Sequence, residues 1–424
     1  MIRAIAPVAA LLLGTAILLT GQGLQGVLLP VRANLEGFAP LAVGLIGGTY
    51  FLGFTFGCWR GAALIQRAGH VRVFAAMTAI ASAVPLLHGL WVNILSWALL
   101  RFATGFCFAV LYVVIESWLN EQATDENRGS VFSAYIFINM TVLAVGQQML
   151  LLEDPSNLAL FALVAVLVSL ASVPVLMSTS EHPRQIEEVR FDLRELYRNS
   201  PSGMLGSLTS GLANGAFWSL APVFTAAVSH DVRLAAWFMT AGVLGGAAGQ
   251  WPLGWLSDRM DRRLVLSGAC LGALLLALVL WLFGDTLNMA VILALGCAWG
   301  ALAFPVYSIS VAQANDRAEP SRYVMISSGL LLMYGLGAVI GPLFASGIMT
   351  LIGAGSLFLY TAVTHAGLGA YLLTRTRLIS EVPSEEHSDF SDALASVMTT
   401  SQVFEEEIVQ QDSETQDPDR PRPG

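Results

Sequence analysis

The sequence predicts an all-α polytopic membrane protein of twelve transmembrane helices, arranged as two pseudo-symmetric six-helix bundles. Three observations predict it. Only 12% of the 424 residues are charged while 55% are hydrophobic, whereas soluble chains carry about 25% charge. The apolar residues gather into runs of about 20 or more with almost no ionisable side chain, long enough to cross a ~30 Å hydrocarbon core at ~1.5 Å per residue. Residues of the first half also recur in the second at a fixed offset of 192.

Taken in order, the runs predict spans at roughly 7–31, 41–66, 72–92, 94–118, 129–152, 158–177, 203–228, 234–256, 264–284, 287–312, 323–347 and 355–374. The first follows Arg3 and could pass for a signal peptide, but its run of about 25 residues exceeds the 7–15 of a signal h-region, so it reads as a retained helix. An even count puts both termini on one side. Arginine placement then orients the chain: fifteen arginines fall in the termini and loops of one face, against Arg32 and Arg233 on the other. Both termini are therefore expected in the cytoplasm, with the chain multi-pass in a bacterial inner membrane.

The divisions follow from composition. Residues 1–177 form the first six-helix bundle and 203–377 the second. Between them 178–202 is a cytoplasmic linker in which Ile186, Val189, Leu193 and Leu196 recur at helical spacing, which predicts a short amphipathic helix on the membrane surface. Residues 378–424 are an acidic, mostly disordered cytoplasmic tail, with Phe390, Leu394, Val397, Phe404 and Ile408 spaced for a transient amphipathic helix between Ser388 and Gln410. From residue 380 this tail holds 12 of the 30 acids and 2 of the 21 arginines. The net charge of −9 therefore belongs to the tail, and the membrane body is close to neutral.

All 21 basic residues counted as Lys plus Arg are arginine, which excludes a P-loop ATPase, a retinal Schiff base and a pyridoxal enzyme, each built on a lysine. The four cysteines, Cys58, Cys107, Cys270 and Cys297, lie in apolar spans without ligand-like spacing. No metal and no cofactor is implied, and no His/Asp/Glu or Ser/His constellation suggests an enzyme.

The repeat is specific. Gln22, Gly23, Pro30 and Val31 correspond to Asn214, Gly215, Pro222 and Val223, and Gly53, Gly57 and Trp59 to Gly245, Gly249 and Trp251. Parallel repeats of this kind place a substrate path along the pseudo-twofold axis between them.

Three motifs carry mechanism. Gly254-Trp-Leu256-Ser-Asp258-Arg259-Met-Asp261-Arg262-Arg263 straddles the short turn after the eighth span; its first-half counterpart, Ala62-Ala-Leu64-Ile-Gln66-Arg67-Ala-Gly69-His70-Val-Arg72, is degenerate. Arg101-x-x-x-Gly105-x-x-x-Ala109 puts a cation well inside the fourth span, where an arginine costs at least ~2.5–3.5 kcal/mol. Gly337-x-x-x-Gly341-Pro342 in the eleventh span reads as a packing and hinge element.

On these residues the chain resembles the major facilitator superfamily, whose signature loop is Gly-x-Leu-x-Asp-Arg-x-Gly-Arg-Arg/Lys; Asp261 departs from it at the second glycine. More narrowly it is similar to the YcaD-like group, through Glu116-Ser-Trp118-Leu119-Asn120, Asn214-Gly-Ala-Phe217-Trp218-Ser-Leu-Ala-Pro222, Phe304-Pro305-Val-Tyr307-Ser308 and Ala314-Asn315-Asp316. The resemblance implies that the loop is a latch holding the halves together at the cytoplasmic face in the outward-facing state. Its residues here would be Gly254, Asp258, Arg259, Arg262 and Arg263, with Arg67 and Arg72 facing Glu116 in the first half. Arg60 is a rival partner for Glu116. The resemblance also implies that Arg101 and Gly105 border the cavity; the alternative is that Arg101 only hydrogen-bonds Gln22 or Gln25 to fix packing.

In a fold of this type helices one, four, seven and ten face the path. Its candidate residues are Gln22, Gln25, Arg101, Tyr112, Asn214, Phe217, Trp218, Tyr307 and Ser308, with Asn139 and Gln147 from the fifth. Gln22 and Asn214 either face one another across the pseudo-axis or bond within their own halves. Aromatics such as Trp218 are either packing or ligand-facing. Glu116 is the one acid inside a span, so a proton-coupled cycle would use it, a histidine or Arg101-linked water. The buried cation leans toward an anionic or zwitterionic solute. The expected function is a monomeric secondary active transporter moving a small-molecule substrate across the lipid bilayer by alternating access, with proton coupling open and no nucleic-acid partner. The alternative is a transport-inactive relative acting as a sensor or scaffold through its acidic tail.

Overall fold

The computed structural model describes residues 8–123, 128–177, 193–229, 231–318, 322–378, 387–388 and 390. Among them twelve helices are long and apolar enough to cross a membrane: α1 (Ala9–Leu35), α2 (Pro40–Ala68), α3 (His70–Leu90), α4 (Ile94–Gln122), α5 (Val131–Leu152), α6 (Leu158–Leu176), α7 (Pro201–Val228), α8 (Val232–Ser257), α9 (Arg262–Phe283), α10 (Met289–Asn315), α11 (Met325–Ile352) and α12 (Ala354–Leu378). All twelve predicted spans are present. The helices overrun the apolar runs because a helix ends where its backbone is capped. Thus α1 continues through Arg32, which pairs with Glu36 at 2.6 Å and donates to the Pro155 carbonyl at 3.1 Å.

Local chemistry sets the ends. Pro40 and Pro201 open α2 and α7 at the first helical turn, where the missing N–H has no partner to lose. Asn93 and Asn288 cap α4 and α10, accepting from the backbone N–H of Ser96 at 2.9 Å and of Val291 at 3.1 Å. Asp231 and Asp261 cap α8 and α9 in the same way. The turn between α2 and α3 needs a left-handed residue, Gly69 at φ +81°. Its counterpart Asp261 has φ −52°. The second glycine of the signature loop is therefore dispensable in this chain: the backbone there asks for a cap, and aspartate supplies it.

The sequence repeat has an atomic explanation. Gly53 and Gly57 of α2 lie against the backbone carbonyls of Phe102 and Phe106 in α4, and Gly245 and Gly249 of α8 against those of Cys297 and Ala301 in α10. Gly23 of α1 meets Leu143 of α5, as Gly215 of α7 meets Ala338 of α11. Gly146 of α5 rests on the Thr20 carbonyl, as Gly341 of α11 rests on that of Leu212. At each position a β-carbon would collide with backbone, which cannot yield. The glycines recur because the same helix pairs approach closely in each half. Gly105 packs on the Tyr50 carbonyl and Gly337 on that of Leu208, so the predicted packing residues Gly105, Gly337 and Gly341 do sit at helix contacts. Pro342 lies inside α11.

The halves meet at the face opposite the linker. There Gly44 and Gly48 of α2 pack on Ser346 and Val339 of α11, and Gly47 on Ser219 of α7. Gln148 of α5 donates to Thr240 Oγ1 of α8 at 2.7 Å, and Thr240 donates to Gln147 at 3.0 Å. Toward the linker face the halves part around a central cavity. Of the predicted linker helix, Leu193–Asn199 is helical; Leu196 is buried next to Gly329 of α11. Ile186 and Val189 lie outside the described residues, as do Leu394, Val397, Phe404 and Ile408 of the tail.

Candidate functional site: the central cavity

The cavity between the two halves has a volume of about 1280 Å³. Helices α1, α2, α4 and α5 line it from the first half and α7, α8, α10 and α11 from the second. Fifteen of the 39 described residues lining it are aromatic, and among these lining residues the acidic side chains are Glu116 and Asp258, with no arginine or histidine. A ligand there meets ring faces, hydroxyls and two carboxyl groups, of which that of Asp258 is paired with Arg262 at 3.1 Å.

The inner end of the cavity is organised by one hydrogen-bond chain. Tyr112 Oη donates to Gln22 Oε1 at 2.9 Å, and Gln22 Nε2 donates to Tyr50 Oη at 2.9 Å. The Arg101 guanidinium lies over the Tyr50 ring, 4.3 Å from its centroid. Three helices are tied by this chain: α1 through Gln22, α2 through Tyr50 and α4 through Tyr112. On the opposite wall Asn214 Nδ2 donates to Ser210 Oγ at 3.3 Å. Each amide thus bonds within its own half, and the pairing of Gln22 with Asn214 across the axis is not what this conformation holds.

Arg101 is not on the cavity wall. It borders a second, small void of about 20 Å³ with Pro30, Gly47, Trp218 and Ser219, and the Tyr50 ring separates it from the main cavity. Neither Gln22 nor Gln25 carries it; an aromatic face does, a cation–π contact worth ~2 kcal/mol or more once desolvated. The lean toward an anionic solute, which rested on Arg101, loses its basis.

Seven predicted path residues do line the cavity: Gln22, Tyr112, Asn139, Asn214, Trp218, Tyr307 and Ser308. Three besides Arg101 do not. Gln25 is 1% exposed, inside the first bundle, and Gln147 is buried at the seam with α8. Phe217 is fully buried, stacked on Trp299 with centroids 5.0 Å apart and edge-on to Trp218 and Phe304. Its neighbour Trp218 is the member on the cavity wall, stacked on Phe304 at 5.8 Å and 9°. Pro305 makes that stack possible by breaking α10 into Met289–Ala303 and Pro305–Asn315, which leaves Phe304 at the joint.

Glu116 is 2% exposed, on the cavity wall and not at the turn, and accepts from Tyr135 Oη at 3.1 Å. Arg60 stacks on Trp59, 4.4 Å from its ring centroid. Arg67 and Arg72 are exposed at the linker face. His88 and His365 are absent from the described cavity lining: His88 packs on Trp97 and His365 beside Trp299.

The second-half turn forms a dense ionic cluster. Arg262, whose side chain is fully buried, pairs with Asp316 at the end of α10 at 2.8 Å and with Asp258 at 3.1 Å. Arg263 pairs with Asp261 at 2.7 Å. Arg259 turns outward, its guanidinium 4.2 Å from the Trp255 ring centroid. Burial, with Arg263 and Arg375 close by, draws Arg317 below the usual arginine range. All three of these ion pairs close within the second half. The Major Facilitator Superfamily model matches residues 11–329 and, again, 203–409. The chain belongs to the major facilitator superfamily.

Relatives of this superfamily member include an uncharacterized MFS-type transporter of Enterobacter sp. (strain 638), 29% identical over 387 residues and covering 89% of this chain and 97% of that one. YcaD of Escherichia fergusonii, also an uncharacterized MFS-type transporter, is 26% identical over 360 residues, 84% of this chain and 92% of its own. These place the transporter in the YcaD-like group; its relatives are transporters, not enzymes. Among solved structures, the fold is similar to the nucleoside transporter NupG, with TM-score 0.75 at 12% identity over 86% of this chain and 98% of that one. A bacterial homolog of the human lysosomal transporter Spinster, inward-facing and occupied, gives 0.73 at 15% identity over 90% and 97%. FucP in the outward conformation gives 0.55 at 15% over 88% and 99%.

Sequence reasoning missed Tyr50, Tyr334 and Phe304 as wall residues of this transporter. Tyr334 packs on Tyr307 with ring centroids 4.7 Å apart and planes tilted by 43°, and interacts with the Asn214 amide. Tyr50 and Tyr334 lie on α2 and α11, outside the set of α1, α4, α5, α7 and α10 expected to face the path. A usable signal existed: Tyr50 and Tyr334 are polar-tipped aromatics in otherwise apolar runs, and a buried phenol needs a partner.

Proposed function

We propose that this major facilitator protein is a secondary active transporter that moves a small neutral or cationic solute with an aromatic or other flat apolar face, by alternating access across a bacterial inner membrane. The observation that carries this reading is the cavity: about 1280 Å³ between two six-helix halves, walled by aromatic rings, with Glu116 and Asp258 as its acidic side chains and no arginine or histidine among the described lining residues. The arginine bias supports cytoplasmic termini, which makes the conformation described here inward-open. Sealing of the far face by α2 against α11 and by α5 against α8 supports the same assignment.

The test is a thermal-shift screen of purified protein against solutes grouped by charge, nucleosides included because NupG is a nucleoside transporter. A ligand at 100 times its Kd stabilises by about 2.7 kcal/mol. Stabilisation by neutral and cationic aromatic solutes is expected; stabilisation by anions alone would reject the substrate class. Hits then enter uptake assays in proteoliposomes.

Proton coupling is a second reading, favoured by one observation: Glu116 is a buried carboxylate on the cavity wall that accepts a hydrogen bond from Tyr135. Uptake that rises with an inward proton gradient supports it, and equal rates with and without the gradient remove it.

A further inference from the structure

Among its described residues, the tail meets the body at Ser388 and Phe390. Ser388 donates from its backbone N–H and from Oγ to Asp316 Oδ1, at 3.0 and 2.9 Å. Its carbonyl accepts from Arg262 Nη2. Two residues on, the Phe390 N–H donates to Asp258 Oδ1 at 3.2 Å. The Phe390 ring, 6% exposed, lies on Gly254 of α8 and forms part of the cavity wall with Trp251 and Trp255.

These partners are not incidental. Asp258, Arg262 and Gly254 belong to the signature loop, and Asp316 is the acid that closes its ion pairs. The tail uses main-chain donors on the carboxylates, a main-chain acceptor on the arginine and an aromatic ring against the glycine. No side chain of the first half is needed to satisfy the cluster while the tail occupies it.

We propose that Ser388 and Phe390 form an intrachain strap that docks on the second-half latch, holds the transporter open at the linker face, and must leave before that face can close. The proposal rests on the alternating-access reading above. Closure brings the ends of α2 and α8 together, and Phe390 stands in the space they would take. Asp258 Oδ1 already accepts from the Phe390 N–H and from Arg262, so the docked tail competes with any first-half donor for that oxygen. Any event that frees the segment shifts the equilibrium toward the state closed at this face. A negative charge at Ser388 is one such event, because it would face Asp316.

The experiment needs no substrate. Spin labels on Ala68→Cys and Met260→Cys, pseudo-equivalent exposed positions at the ends of α2 and α8, report the opening at this face by pulsed electron resonance in full-length protein with Cys58 and Cys297 replaced by alanine. Phe390→Ala and, separately, Ser388→Glu should raise the ratio of short to long distances about tenfold, as loss of a state-specific contact of this size requires. A synthetic peptide of residues 381–396 added to a chain ending at 380 should restore the long distance. Superimposable distributions in the parent and both variants overturn the strap, and they do so whether or not the transporter alternates. An inert peptide with a chain ending at 380 that keeps the parent distribution overturns it equally.

Discussion

Gly245 of α8 lies directly on the Cys297 carbonyl of α10, and Gly53 of α2 stands in the same relation to the Phe102 carbonyl of α4. A side chain at either glycine has only backbone to push against. Gly245→Leu and Gly53→Leu should each destabilise the purified transporter by ~1–3 kcal/mol or prevent its accumulation. Gly268 of α9, where a β-carbon meets nothing within 4 Å, is the control. Gly268→Ala should be neutral or stabilise by about 0.4–1 kcal/mol. Thermal unfolding in detergent measures all three.

Tyr50 links Arg101 to Gln22. Tyr50→Phe keeps the ring under the guanidinium but removes the acceptor for Gln22, a change of about 1 kcal/mol. Ligand affinity should fall about fivefold with expression unchanged. Arg101→Ala should cost more in thermal stability than Tyr50→Phe, because it empties a void beside Trp218 and uncovers a ring. Reversal of that order in melting temperature would show the stack to be incidental.

Arg262 and Asp316 form a buried pair. Arg262→Gln strands a carboxylate and should destabilise by ~3–5 kcal/mol. Asp316→Asn should cost less, because Arg262 keeps Asp258 as a partner at 3.1 Å. The double variant, which removes both charges, should be more stable than either single one. Additive losses in the melting temperatures of the three proteins would contradict the pairing.

Glu116 places a carboxyl group on the cavity wall. Glu116→Gln should weaken a cationic ligand roughly tenfold, about 1.4 kcal/mol, and leave a neutral ligand of the same shape within about twofold. Titration calorimetry with the two ligands separates these outcomes. Equal weakening of both would mean that Glu116 acts through shape.

The membrane helices were legible because hydrocarbon imposes a single rule, that backbone polar groups pair internally, and long apolar runs obey it visibly. The repeat was legible through its glycines, since a close helix contact tolerates nothing larger. The site was less legible. The offset of 192 changes to 195 after α9, whose loop to α10 is longer than the one between α3 and α4, so Asn93 matches Asn288 and Tyr112 matches Tyr307. With that shift Asp316 is the counterpart of Glu121 and not of Glu116. This explains why Glu116, expected as a latch acid, faces the cavity instead. Arg101 displays only its charge in the sequence; nothing in its own helix shows that a tyrosine from α2 covers it. The docking of Ser388 and Phe390 left only the helical spacing of a few apolar residues as a trace.

The seam between the halves also uses glycine. Within a half, glycines seat helices against backbone. Across the halves, Gly44, Gly47 and Gly48 present an almost smooth strip, Gly44 to Ser346 and the Pro342 carbonyl, Gly47 to Ser219 and Gly48 to the Val339 carbonyl. Large side chains there would interdigitate like gear teeth, and each tilt would force rotamers to change in concert. A smooth strip behaves as a plain bearing: one stiff block can roll on the other with few side chains to unmesh, so friction at the seam should set little of the time the cycle takes.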